Sequence, residues 1–448
     1  MSIRAAVFAL LLWVPSAGAM TIERVVSPAG IEAWLVEDHT LPVVAIRFAF
    51  SGGAALDPAG KSGLVSLVAS LLDEGAGPYD TAAFQTRLED LVTTLQFHAG
   101  RDQLSGGLRT LKRNLGEVEE LLRLALTEPR FEPSAIERVR GQIVASLAQQ
   151  AQNPRALAGR LWMRDAFEDH PYGQNVDGTT ESIGAINRED LVGFVADQLR
   201  RGGMVIGAVG DLNRDELAAF VDRVFGSLPI GSGVVDVAEA RPAEGGALLI
   251  SRLAVPQSTV AFGQAGLKRS DPDWYAARLL NDIIGGGGFR GRLMKEIREK
   301  RGLAYGVSTG LVTFRHAALI LGGVATENAR VAQSIDLIRG EWRRMREEGP
   351  TEAELDEAKG YLIGSFPLGL DSSEKIASLL VEMQLEQLPI DFLEHRAALF
   401  AAVTHEEALR VARHLFDPEK LSFVVVGNPA DLTPTRSRPE PSPPLPQD

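Results

Sequence analysis

Arg298 and Tyr305 stand seven residues apart, shortly after four consecutive glycines, Gly285–Gly288. These types could do chemistry on a peptide bond. When water attacks an amide carbonyl, negative charge develops on the oxygen, and a guanidinium and a phenol O–H are donors able to meet it; losing one such donor typically costs about 10²–10³ in rate. The same residues admit a structural reading, in which Arg298 solvates the polar face of a helix, Gly302 stops that helix and Tyr305 packs as a strand residue. The glycine run lacks the Gly-Lys-Ser/Thr ending of a phosphate loop, which argues against a nucleotide site. It suits a flexible loop, Gly285, Gly286, Gly287 and Gly288, that approaches an extended peptide substrate closely. Addition of that peptide to a sheet edge would supply the main-chain hydrogen bonds.

Little else in the chain has the spacing of a reactive centre. With no cysteine, thiolate zinc ligands, disulfides and a thiol nucleophile are all excluded. The seven histidines, His39, His98, His170, His316, His395, His405 and His414, include no pair three or four residues apart. Asp73 and Glu74 adjoin at the end of a helical pattern. Neighbours on a helix point about 100° apart, so the two cannot converge on one ion and are expected to solvate the helix end. No Ser, His and Asp arrangement stands out as a catalytic triad. A formal charge of -13 argues against nucleic acid, whose phosphates require clustered Lys and Arg in excess.

Positioning such groups needs a core, and 448 residues that are 45% hydrophobic and 23% charged predict a globular chain of more than one domain. Two stretches echo each other. Val43–Phe50 ends at Ser51-Gly52-Gly53, as Ser258–Gln264 ends at Ala265-Gly266; Met204–Val209 before Gly210 likewise matches Leu421–Val426 before Gly427. An internal duplication follows, with the same order of strand, long helices and closing strand in each half. The first half is placed at 20–230, a Gly- and Ala-rich linker at 231–246, the second half at 247–432 and a Pro-rich disordered tail at 433–448. Apolar periodicity predicts helices over 62–73, 81–91, 114–126, 133–152 and 188–199, then 273–284, 290–300, 327–348, 352–365, 373–387 and 405–415. Several strands follow one another without a crossover helix, so the sheets are expected to be mixed. His170-Pro171-Tyr172-Gly173 reads as a structural turn closing the first domain.

Residues 1–19 carry Arg4, a short apolar run and Ser16-Ala17-Gly18-Ala19. This is the pattern of a secretory signal. The run is about eleven residues, whereas a membrane-crossing helix needs about twenty. The mature chain is expected to have no membrane span and to be periplasmic or secreted.

Lys61–Gly75 (KSGLVSLVASLLDEG), following Ser-Gly-Gly, resembles the zinc helix of the inverted zinc peptidases, the insulinase, pitrilysin and mitochondrial-processing-peptidase family. Their helix reads Gly-x-x-His-x-x-Glu-His. Here Gly63 matches the glycine, and the chemical positions are Ser66, Ala69 and Ser70; the third-ligand Glu falls at about Ser146, in a helix ending in Asn153-Pro154. A catalytic zinc needs three protein ligands, so no metal is expected in this chain. Ile284–Val307 resembles the family's second-half signature, a glycine loop followed by Arg-Glu-Lys-Arg-Gly-Leu-Ala-Tyr. The resemblance assigns Arg298 and Tyr305 to the substrate backbone and oxyanion, opposite the zinc.

The resemblance covers residues 21–432 and implies an α+β fold of two homologous domains, each a mixed, largely antiparallel sheet packed with helices. It further implies a heterodimer with a homologous subunit that carries the zinc, the Glu base and two His, the two chains sharing a peptide substrate. Relatives also include non-enzymatic structural proteins, and a peptide-binding or assembly role is the alternative.

Overall fold

The computed structural model describes residues 20–231, 237–243 and 245–436. The expected signal peptide, part of the linker and most of the Pro-rich tail lie outside these residues. The first sheet contains β1 (Glu23–Val26), β2 (Glu32–Glu37), β3 (Val43–Ser51), β4 (Thr94–Ala99), β5 (Gln103–Leu111) and β6 (Val205–Gly210), in the order β1-β2-β6-β3-β5-β4. The second contains β7 (Leu248–Arg252), β8 (Gln257–Ala265), β9 (Ala304–Thr313), β10 (Ala318–Glu327) and β11 (Ser422–Gly427), in the order β7-β11-β8-β10-β9. Within each, one pair is parallel, β2 with β6 and β7 with β11, and the others are antiparallel. Removing β1 makes the two orders superimpose. The architecture is α+β, with two mixed, largely antiparallel sheets.

One face of each sheet buries alternate side chains under its own helices. Phe48 and Phe50 of β3 meet Phe225 edge-on, and Phe262 of β8 meets Trp342 in the same way. The opposite face receives a helix from the other half. Helix Pro154–Ala166 lays Leu157, Ala158, Leu161 and Trp162 against Leu249, Leu319, Val424 and Val426, and Trp162 Nε1 donates to Ser422 O at 3.3 Å. In return, helix Ser373–Leu385 lays Ala377 and Leu380 against Trp34, Val36 and Val209, and Gln384 Nε2 donates to Ile206 O at 2.9 Å. Gly207 permits this approach, since a Cβ there would fall 2.7 Å from Ala377 O. Each fully buried Leu or Phe contributes about 1.5–3 kcal/mol relative to exposure. The exchanged helices therefore tie the two sheets together.

A polar pin adds to the apolar exchange. His170 accepts from Tyr172 N, and the buried Tyr172 hydroxyl donates to Asp102 in the β4–β5 hairpin while accepting from His316 N in the β9–β10 hairpin. Asp102 also accepts from Arg315 N at 2.9 Å. The turn at 170–173 thus joins the halves in addition to shaping the first.

Most helices lie within a residue or two of their expected places; Pro133–Gln152 and His405–Leu415 start and stop where the pattern does. Four segments differ, one of them 327–348, where Glu327 ends β10, Asn328–Arg330 forms a 3-10 turn and the α-helix is Val331–Glu348. The regular helix expected over 62–73 is confined to Leu64–Ala69, followed by turns. Over 273–284 the α-helix ends at Asn281 and continues as a π-turn, Asp282–Gly286; over 290–300 the chain forms a 3-10 turn, Gly288–Arg290, and a second π-segment, Met294–Glu299. Helices Pro154–Ala166, Arg214–Phe225 and Phe392–Ala402 were not foreseen.

Candidate functional site

Helix Leu64–Ala69 begins at Gly63 in the left-handed region, φ +94, where a Cβ would lie 2.5 Å from Ile183. Asp57 caps it, accepting from Gly63 N at 2.8 Å and Val65 N at 3.1 Å. Burial outweighs these bonds and pushes the Asp57 carboxyl up to about 7. The emptied ligand positions do converge. Ser66 Oγ donates to Asp177 Oδ1 at 3.0 Å, while Gln150 Nε2 donates to Asp177 Oδ2 at 3.3 Å and to Ser146 Oγ at 3.2 Å. Ser70 Oγ turns back to its own helix, donating to Ser66 O at 2.9 Å, and Ala69 is buried and apolar.

This donor set does not fit zinc. One carboxylate, Asp177, stands where three ligands are required, and it already holds Ser66 and Gln150. Among the described residues no three His, Cys, Asp or Glu side chains are grouped as metal ligands. Asp73 and Glu74 depart from the expected solvated helix end: Glu74 pairs with Arg138, and burial pushes the Asp73 carboxyl up to about 6. Asp177 and Gln150 escaped the sequence reading because Asp177 lies 111 positions from Ser66. Its only local signal is the Asn175–Gly178 turn, in which Asn175 Nδ2 donates to Gly178 O.

The second-half residues form a different kind of site. Two π-segments, with Gly287 N donating to Asp282 O and Lys300 N to Lys295 O, flank the glycine loop. Such wide turns are rare and occur frequently at functional sites. Gly285, Gly286 and Gly287 are packed by the protein itself: a Cβ would meet Thr309 Oγ1 at 2.7 Å, Asn281 Nδ2 at 2.5 Å and Asp282 O at 2.7 Å, respectively. Only Gly288, at φ +59, faces open space. Below the loop, the buried Asn281 amide and Thr309 hydroxyl have no hydrogen-bond partner among the described residues. Beside it, buried Arg292 donates to Glu354 at 2.6 and 2.8 Å and to Gly349 O at 2.9 Å.

Arg298 and Tyr305 are brought together at the end of this segment. The guanidinium lies 4.6 Å from the Tyr305 ring centroid and 4.6 Å from that of Phe289, the residue after the glycines. Tyr305 does not pack as an ordinary strand residue, since it is 86% exposed and Phe289 is 62% exposed. Neither the guanidinium nor the phenol forms a hydrogen bond or ion pair among the described residues. Sequence reasoning missed Phe289, whose place beside the loop was its only signal. The arrangement is a cation held between two exposed rings with its donors free.

Two duplicated α+β halves, a hydrogen-bonded cluster at the positions that resemble the zinc helix, and an Arg–Tyr pair whose tyrosine is exposed define a peptidase-like scaffold in which the described residues group no metal ligands. Residues 185–362 match the family described as Peptidase M16 inactive domain. The chain is 27% identical over 414 residues to the non-peptidase homolog YmxG of Helicobacter pylori, covering 92% of this chain and 95% of that protein. It is 30% identical over 285 residues to an uncharacterized zinc protease of Mycobacterium leprae, covering 63% and 64%. The crystal structure of a peptidase M16 inactive domain from Pseudomonas fluorescens superimposes with TM-score 0.86 at 29% identity, covering 93% of this chain and 100% of that one. By these matches the chain is similar to the M16 family, the inverted zinc peptidases, and its sequence lacks the His-x-x-Glu-His motif.

Proposed function

We propose that the chain is the non-zinc subunit of a heterodimeric metallopeptidase, exported to the periplasm or beyond by residues 1–19. In this reading a homologous partner holds the zinc and the Glu base, and this chain contributes Arg298 and Tyr305 to the substrate backbone and developing oxyanion. The observation that carries the reading is the pair itself: two strong donors side by side, Tyr305 exposed and Arg298 half-buried, with no hydrogen-bond or ion-pair partner among the described residues. A scaffold kept only for packing has no use for them. Open edges at β4 and β9, each paired on one side only, support addition of an extended peptide as a further strand. Catalysis is shared, and zinc enters with the partner.

The test is to purify the mature chain, a His-x-x-Glu-His partner and their mixture, and to assay peptide cleavage. Activity is expected in the mixture alone, and Arg298→Ala or Tyr305→Phe is expected to lower kcat/KM by about 10²–10³. Chelator-sensitive cleavage by this chain alone would sink the proposal. A second reading, a non-enzymatic peptide-binding or assembly protein, draws support from the similarity to a non-peptidase homolog along nearly the whole chain. An unchanged rate in the Tyr305→Phe mixture would favour it.

A further inference from the structure

A cleft of about 890 Å3, lined by neither the Ser66 cluster nor the Arg298–Tyr305 pair, lies between the outer face of the first sheet, the β9–β10 hairpin and helix Ser373–Leu385. Its floor is a polar sheet surface: in register across the strands stand Arg47, Gly107 and Gln96, then Ala49, Ser105 and His98. Arg47 is flanked by glycine on both sides, Gly107 of β5 and Gly207 of β6. Its side chain passes over Gly107, where a Cβ would fall 1.6 Å from Nη1. The Nε is buried without a hydrogen-bond partner, and Arg47 forms no ion pair among the described residues. A buried guanidinium nitrogen left unpaired is costly unless something arrives to accept from it.

The other charges in the cleft divide into two groups. Lys268 is engaged by Glu239, Arg269 stacks 3.8 Å from the Trp274 ring and donates to Tyr275, and Asp102 is bonded by Tyr172 and Arg315 N; the Arg315 side chain is exposed at the rim. Glu382 and Glu386, by contrast, stand one helical turn apart with no hydrogen bond or ion pair to either carboxylate among the described residues, although the Arg269 charge favours the ionised Glu386. Burial and the neighbouring Glu382 both hold the Glu386 carboxyl above the usual range. An ammonium group would relieve that pair. The cleft therefore offers an unmet cation on its floor, Arg47, another at its rim, Arg315, and an acid pair above neutral hydrogen-bonding side chains.

We propose that this cleft binds a short peptide by its charged termini, the carboxylate on Arg47 and the ammonium on Glu382 and Glu386, with Gln96, Gln103 and Ser105 bonding its amides. A phosphate dianion leaves the Glu382 and Glu386 pair unanswered and is repelled by it, and an apolar ligand answers none of these groups. The site is independent of pairing with a zinc subunit, because every residue belongs to this chain.

The test is calorimetric titration of the mature chain with trialanine, its C-terminal amide and its N-acetyl form. Trialanine is expected to bind, and amidation to weaken it about 10- to 100-fold, the worth of one charge-assisted contact. Arg47→Met should weaken trialanine by the same factor, leave the amide's affinity unchanged and leave Tm unchanged. Glu386→Gln should act on trialanine and not on the N-acetyl form. No binding of trialanine, equal affinity for acid and amide, or a lowered Tm in Arg47→Met overturns the proposal, the last by making Arg47 structural.

Discussion

The wall around Ser66 and the wall around Arg298 occupy the two halves of one duplication, yet they treat polar groups in opposite ways. In the first half each side chain at an emptied ligand position answers another: Ser66 and Gln150 to Asp177, Gln150 to Ser146, Ser70 to its own helix. In the second, among the described residues, Arg298 and Tyr305 have no acceptor, and Asn281 and Thr309 beneath the glycine loop are buried without a hydrogen-bond partner. Unpaired polar groups cost stability, while a closed network does not. The first wall has thus been resolved into structure, whereas the second still bears a cost that structure alone does not explain.

The sharpest way to break this contrast is the paired experiment on Arg298 and Tyr305, with its loss of about 10²–10³ in the mixture. The complementary variant in the first half is Asp177→Ala. It strands Ser66 and Gln150 and is expected to lower unfolding stability by about 1–3 kcal/mol in denaturant titration, with the mixture's kcat/KM unchanged. A fall in rate without a fall in stability would mean that the closed wall still acts in catalysis.

Asp57, the cap of the emptied helix, gives a smaller effect with a definite sign. Its carboxyl is raised to about 7 in the fold, against about 3.9 for a free aspartate. The native chain therefore holds this proton more tightly than the unfolded one. The resulting stability is complete below pH about 4 and is lost as pH rises through about 7. Asp57→Asn should flatten Tm against pH across that window, and an unaltered slope would refute the assignment. Smallest is Phe289→Ala, which removes one of the two rings beside Arg298. Kcat/KM in the mixture should fall about two- to fivefold, as befits one partly exposed cation–π contact of about 0.5–1 kcal/mol.

Local signals made much of the fold legible. Pro133 at a helix start, Asn153-Pro154 at its stop, and Thr404 with Glu407 as a capping box act over a few residues, and the elements they bound were read closely. Asn153-Pro154 misled in one respect: it ends one helix and also caps the next, Pro154–Ala166. That helix buries its apolar face on the other half's sheet, which no local pattern announces. The π-turns were illegible for a related reason, since they follow from how the glycine loop seats on Asn281 and Thr309 rather than from periodicity. At the site, the residue types lost and kept were plain, but their partners Asp177, Gln150 and Phe289 depended on the folded geometry.

The reciprocal loan of helices between the sheets has a bearing on ancestry and folding. Each half is completed by a segment that follows the other's pattern, as in a swapped dimer whose two copies have been joined end to end. Neither half expressed alone would have its outer face covered. Helix Ser373–Leu385 must travel back to strands formed more than 150 residues earlier in the chain, so the molecule should assemble late and in one step, with a folding rate governed by these distant closures.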